Sequence, residues 1–368
     1  MKKILTILLL TLSLFPSLAL AQTAGEFSRG EVVKILSEGT TDFSGEDSPF
    51  QKISVKIVSG KDDGRLVEVD HGNLFTITEE DKVHIGERVI IRKIANADGI
   101  FYNIYDSDRS LPMLYIFLFF IGLVIVFTKW KGVTSLLGLA ASLAIIVWFI
   151  VPKIVAGGSP FVITMIGSVL IASTSLFLAH GFNKRTTIAW YSTLITLAVA
   201  ILTSWIAVKM TGLSGTVDEE TIYLQSVGLG NLSLQGLLLG GIIIGTLGVL
   251  DDVTTAQSAT VYEIHRANET FHFKELYKRG LAVGKEHIVS LVNTLVLAYV
   301  GSSLPLLLLF SANHEVPWWA TLNSEFFVEE VVRTLAGSIA LVLAVPISTA
   351  LAAFIFTRSQ MRRKVSSK

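Results

Sequence analysis

The 368-residue sequence contains no cysteine, and only 16% of it is charged. The first absence excludes thiolate nucleophiles, disulfide frameworks, Cys-based zinc sites and iron–sulfur ligation. The second excludes a chain that faces water on all sides, because soluble globular proteins carry about 25% charged residues. Net charge is also missing, with 30 Lys+Arg against 30 Asp+Glu, but the balance conceals a segregation. Residues 111–357 hold most of the apolar content, whereas residues 22–110 carry 17 Asp+Glu and 11 Lys+Arg. One part is built for water and the other for lipid.

What is present begins with a targeting pattern. Lys2 and Lys3 precede an apolar run from Ile4 to Phe15, Pro16 breaks it, and Ala19-Leu20-Ala21 before Gln22 fits a small-x-small cleavage site. Residues 1–21 are therefore expected to be a signal peptide, with an uncleaved anchor as the alternative. Residues 22–110 are expected to form an extracytoplasmic β domain. Alternating segments at 30–35, 53–57, 66–69, 83–94 and 100–105, separated by Asp62-Asp63-Gly64 and Asp98-Gly99, predict about five short strands and an OB-like small barrel. Its acid excess argues against nucleic acid, which a basic groove would recognise.

From Leu111 the pattern changes to long apolar runs. Seven spans are expected near 111–128, 133–152, 161–180, 188–208, 234–253, 286–310 and 332–357, each close to the ~20 residues that a bilayer core requires. A basic cytoplasmic tail, 358–368, follows. The fold class is thus an α-helical polytopic membrane protein with an amino-terminal β domain. With that domain outside, Lys129, Lys131, Lys184, Arg185, Arg266, Lys274, Lys278, Arg279, Lys285 and Arg358 all fall inside, as the positive-inside tendency requires. Asp218, Glu219, Glu220, Glu315 and Glu325 fall on the opposite side.

Polar chemistry concentrates in the fifth and sixth spans. Gly236/Gly240 and Gly241/Gly245 are GxxxG pairs, and Gly241, Gly245, Gly248 and Asp252 share one helical face, a pattern that lets helices approach closely in lipid. Asp251 and Asp252 sit near the end of the fifth span. There a carboxylate costs several kcal/mol unless it is paired, hydrated or protonated. Asp251 aligns with Thr255, while Gln257 and Glu263 follow. The pair reads as an ion, proton or polar-substrate site, or as an interfacial pair held by nearby basic residues. In the sixth span His287, Ser290, Asn293 and Thr294 supply the expected opposite wall, by coordination or by interhelical hydrogen bonding. Pro305 and Pro346 are expected to kink their helices.

His180, His265 and His287 fall near span ends without an HxxxH or HExxH spacing, so no metal and no cofactor is expected. Arg333 follows Glu329 and Glu330 by one turn, and a local ion pair explains it.

Three segments, GTLGVLDDVTTAQSATVYEI at 245–264, GKEHIVSLVNTLVLAYVGSSLPLLLL at 284–309 and GSIALVLAVPISTALAA at 337–353, resemble the YibE/F family of bacterial multi-span membrane proteins. The resemblance implies an integral plasma-membrane protein. It marks Asp251, Asp252, Gln257, Glu263, His287, Asn293 and Pro305 as positions on which fold or function depends, and gives none of them a chemical role.

The leading functional expectation is a transporter or permease for an ion or small polar solute, with the acid pair of helix five facing the polar stripe of helix six. The alternative is a membrane scaffold or sensor that couples the β domain to the cytoplasmic side. An enzyme is not expected, since aspartyl chemistry needs two carboxylates converging from different elements and these are adjacent on one helix. Partners are the lipid bilayer and the transported solute, with a homo-oligomer or a related membrane partner left open.

Overall fold

The computed structural model describes residues 26–43, 46–73, 76–96, 99–216, 219–226, 228–312 and 316–366. Residues 1–21, the expected signal peptide, and the acids Asp218 and Glu315 lie outside the described residues. The chain divides into two compact units, with the boundary in the sequence near residue 125.

In the first unit five strands form one antiparallel sheet: β1 (Glu26–Phe43), β2 (Glu46–Ile57), β3 (Leu66–His71), β4 (Arg88–Asn96) and β5 (Gly99–Ser107), in the order β3-β2-β1-β4-β5. Strand β1 pairs with β4 through its first residues and with β2 along most of the rest. Register shifts beside Val33 and Leu36 bend it, as an extra residue in one strand does, and β3 comes to lie against β5. The alternation predicted from the sequence puts Val32, Ile53, Val55, Ile57, Val67, Val69, Val89 and Ile91 into one core. The expected strand at 83–94 starts later, at Arg88. Gly86 adopts φ +85° and turns the chain before it, and Val83 is held by the Gln51 side chain, whose Oε1 accepts from Val83 N at 2.8 Å and whose Nε2 donates to Val83 O at 3.2 Å.

Seven helices among the described residues are long and apolar enough to cross a membrane. They are α1 (Ser110–Thr128), α2 (Trp130–Val155), α3 (Pro160–His180), α4 (Lys184–Thr211), α6 (Leu234–Ala267), α7 (Phe273–Ser302) and α10, whose helix extends over Glu325–Ser366. Short helices α5 (Glu219–Ser226), α8 (Leu304–Ala312) and α9 (Trp318–Leu322) connect them. Pro305 ends α7: α8 starts at Leu304, since a proline has no N–H to donate and clashes with the preceding turn. Helix α10 instead runs through Pro346 unbroken.

Helix α6 is the centre of this unit and packs against α3, α4, α7 and α10. Ile243, Leu247, Leu250 and Val253 of α6 join Ile171 and Ala172 of α3, Leu197 of α4 and Leu341 and Val345 of α10. Several polar groups pair across helices within the bundle, which offsets the cost of burying them in lipid. The Thr193 and Thr254 hydroxyls share a 2.7 Å hydrogen bond, and Ser258 donates to the Arg185 carbonyl at 3.0 Å. Where α6, α7 and α10 cross, Gln257 donates to the Gly280 carbonyl at 2.8 Å and to Thr349 Oγ1 at 2.7 Å.

A candidate ion or solute site in the membrane unit

Helices α2, α3 and α6 line an open cleft of about 330 Å³. Its polar lining is Ser135 and Ser142 from α2, Ser175 and His180 from α3, and Asp251 and Asp252 from α6. The local sequence explains the placement. Gly138 lets α2 approach so closely that a Cβ there would lie 3.2 Å from the Ser175 carbonyl oxygen. The same contact brings Ser135 and Ser142, one turn to either side, onto the α3 face. Helix α3 stops at His180 because Gly181 takes φ +73° as its cap, and Asn183 then caps α4 by accepting from Thr186 N at 3.0 Å. His180 is therefore held at the end of α3, within electrostatic reach of Asp252.

The acid pair is held asymmetrically. Ser175 Oγ donates to Asp251 Oδ2, while Asp251 Oδ1 is buried with no hydrogen-bond partner among the described residues. Asp252 is exposed on the neighbouring face of α6. No ion pair reaches either carboxylate among the described residues. A desolvated carboxyl with a single hydroxyl partner can remain there by holding a proton or by accepting a cation. The neighbouring acid and serine oxygens supply further hard oxygen ligands.

A family model for YibE/F-like proteins matches residues 116–358. The chain belongs to the YibE/F-like family. Neither the curated proteins nor the solved structures contain a match. The matched region covers most of α1 and all the helices from α2 through Arg358 of α10, six of them long and apolar, so every residue lining the cavity lies within the YibE/F-like segment.

In this YibE/F-like bundle the acid pair does not meet the polar stripe of α7. Leu281, Ile288, Leu291, Val292 and Leu295 of α7 pack against the core, whereas Ser290, Asn293 and Thr294 point away and are exposed, as is His287. Thr294 Oγ1 donates to the Ser290 carbonyl at 3.0 Å within its own helix. The wall opposite the acids comes from α3 and α2. Apolar spacing on α7 decided its orientation, and serines scattered in the apolar runs of α2 and α3 were the available signal for the true neighbours.

The remaining sites are dispersed. Gln257 is 4% exposed and locks the helix crossing. Thr255 Oγ1 is buried without a partner among the described residues. Glu263 lies at the exposed end of α6, 3.6 Å from Arg185 and 4.0 Å from Arg266. The glycines split into two groups. A Cβ at Gly236 would meet Ser233 Oγ at 3.0 Å and one at Gly240 would meet Thr164 Oγ1 at 2.8 Å, but at Gly241 and Gly248 it would meet nothing within 4 Å. At Gly245 it would meet only the Tyr299 hydroxyl, at 3.1 Å. Gly280 and Gly284, a GxxxG pair on α7, also pack closely, at the Gln257 crossing.

Proposed function

We propose that this YibE/F-like protein is a permease for an ion or small polar solute, with Asp251 and Asp252 as the groups that bind it. The observation supporting this reading is the cleft itself, in which two carboxylates that have no salt bridge among the described residues lie beside three serines and a histidine on the helical bundle. Such groups are costly in lipid and mark solute or proton pathways by default. The signal segment and the charge pattern support insertion in a bacterial plasma membrane, with the β domain outside and the carboxyl terminus inside. The strand order, with β3 beside β5, supports an OB-like domain. The adjacency of the two acids on one helix argues for binding rather than catalysis.

Reconstituted vesicles test this. With pyranine trapped inside, an imposed pH, Na⁺ or K⁺ gradient is expected to give flux through the wild-type protein. Asp251→Asn should abolish it, and Asp252→Asn should reduce it, with folding retained in both. Equal flux through wild type and Asp251→Asn would assign the acids a structural role, and no flux through wild type would favour the scaffold or sensor reading, in which the β domain signals through the bundle.

A further inference from the structure

Helix α7 is a poorly covered span. Only 11% of its most apolar window is buried, against 56% for α6. Its packed side, with Leu276, Gly280, Gly284, Ile288, Leu291 and Leu295, meets α6 and α10. The other side carries Ser290, Asn293, Leu297 and Val300, all exposed, at the alternating three- and four-residue spacing of a seam between two helices.

Asn293 is the group that cannot face lipid unpaired. Residues 288–312 carry no charged side chain. Asn293 lies about 9 Å beyond His287 at 1.5 Å per residue, roughly a third of the way into a ~30 Å hydrocarbon core. Neither its amide nor the Ser290 hydroxyl has a hydrogen-bond partner among the described residues, and Thr294 bonds only the Ser290 backbone carbonyl. Neither residue lines the Asp251 cleft. A bare amide against acyl chains is costly, and a hydrogen bond from a neighbouring helix removes that cost.

We propose that this face of α7 is the interface of a homodimer, in which Asn293 of each copy hydrogen-bonds Asn293 of the other. Copies inserted with one topology have parallel α7 helices, and a two-fold axis along the membrane normal sets each residue opposite its own counterpart at equal depth. An amide has both N–H donors and a carbonyl acceptor, so each Asn293 Nδ2 donates to Oδ1 of the other copy. Ser290 on one side and the apolar Leu297 and Val300 on the other complete the seam. The chain's own α1 is equally bare, with none of its apolar window buried. It has no hydrogen-bonding side chain between Tyr115 and Thr128, so it does not satisfy the amide. Glu286 extends the same face only at the polar Lys285-Glu286-His287 end, where water and headgroups solvate it.

The absence of cysteine makes any introduced thiol the sole reporter. In lipid vesicles oxidised with copper phenanthroline, Ser290→Cys and Leu297→Cys should form disulfide-linked dimers, and Leu202→Cys on the exposed face of α4 should not. Energy transfer between copies labelled at Asn268→Cys, followed as the protein is diluted into lipid, gives the dissociation constant. Asn293→Leu should raise it about tenfold, the worth of one or two interhelical hydrogen bonds, whereas Asn293→Gln keeps the amide and should restore dimerisation. Both variants should unfold like wild type at high dilution, because Asn293 has no partner within the chain. An Asn293→Leu protein that dimerises as tightly as wild type would overturn the proposal, as would cross-linking at Ser290→Cys and Leu297→Cys no faster than at Leu202→Cys. Rapid reaction of Asn293→Cys with a water-soluble thiosulfonate would overturn it by showing that water covers this face. A disulfide within one chain between Leu297→Cys and Val126→Cys, in place of the dimer, would do so by making α1 the cover.

Discussion

Gly284→Ala and Gly248→Ala are the same chemical change on two membrane helices, and the structure gives them opposite signs. At Gly284 the added methyl overlaps Val345 Cγ1 and lies 2.9 Å from Gln257 Oε1 and 3.0 Å from its Nε2. Neither neighbour yields cheaply. Valine in a helix is confined to one χ1 rotamer, and Gln257 is fixed by its bonds to Gly280 and Thr349. Overpacking of this kind costs about 1–3 kcal/mol, while replacing glycine in a helix returns about 1 kcal/mol; with both a valine methyl and the fixed Gln257 amide in the way, the upper part of the cost applies and Gly284→Ala should destabilise by up to about 2 kcal/mol. At Gly248 nothing stands within 4 Å, and only the helix term remains, so that variant should be neutral or stabilised by up to ~1 kcal/mol. Reversible unfolding in mixed micelles, followed by far-UV circular dichroism against the mole fraction of SDS, measures both. Val345→Ala introduced into Gly284→Ala should recover part of the loss, because it removes the clashing methyl. A Gly284→Ala protein as stable as wild type, or a Gly248→Ala protein as weak as Gly284→Ala, would refute the crossing geometry.

Three further outcomes are expected. The β domain, residues 26–109, should fold alone with a β-type circular-dichroism spectrum and one cooperative transition, because it has its own apolar core; a helical or disordered product would contradict this. Its stability should fall in acid: Lys61 and Lys93 hold Glu26 low and Lys93 holds Asp62 low, so their contribution is complete above about pH 4.5, the ordinary carboxylate range, and is lost as the pH drops through the depressed values, and Asp62→Asn should flatten a thermal-melt series between pH 5 and pH 2. For topology, an impermeant thiol reagent outside intact cells should label Glu80→Cys and spare Asn268→Cys; the reverse pattern would invert the orientation.

Composition and periodicity alone established the two-part organisation, the alternating strands and the existence of seven apolar helices. Each follows from a local rule: period-2 burial in β2 and β3, or roughly 20 apolar residues in a row for a bilayer of fixed thickness. The acid pair was also legible, because Asp251 and Asp252 interrupt an apolar run and burying charge is costly wherever the helix goes.

Which groups the acids meet was decided only by the tertiary structure. A helix has several faces, and sequence spacing identifies residues that share one without naming the helix opposite. The Gly241–Gly245–Gly248–Asp252 face looked like a packing seam, yet the partner helices were drawn elsewhere. Gly280 and Gly284 admit Val345, Thr349 and Gln257 at the α7–α10 crossing, Gly240 admits Thr164, and Gly138 admits the Ser175 backbone. Those long-range fits turned Ser175 toward Asp251 and the polar stripe of α7 away from it. Likewise Arg333 reads locally as an i, i+4 ion pair with Glu329, yet it lines a cavity with Tyr299 and the α6 glycines, which are distant in sequence. Such contacts depend on three-dimensional shape complementarity between whole helices, and one-dimensional spacing carries no record of it.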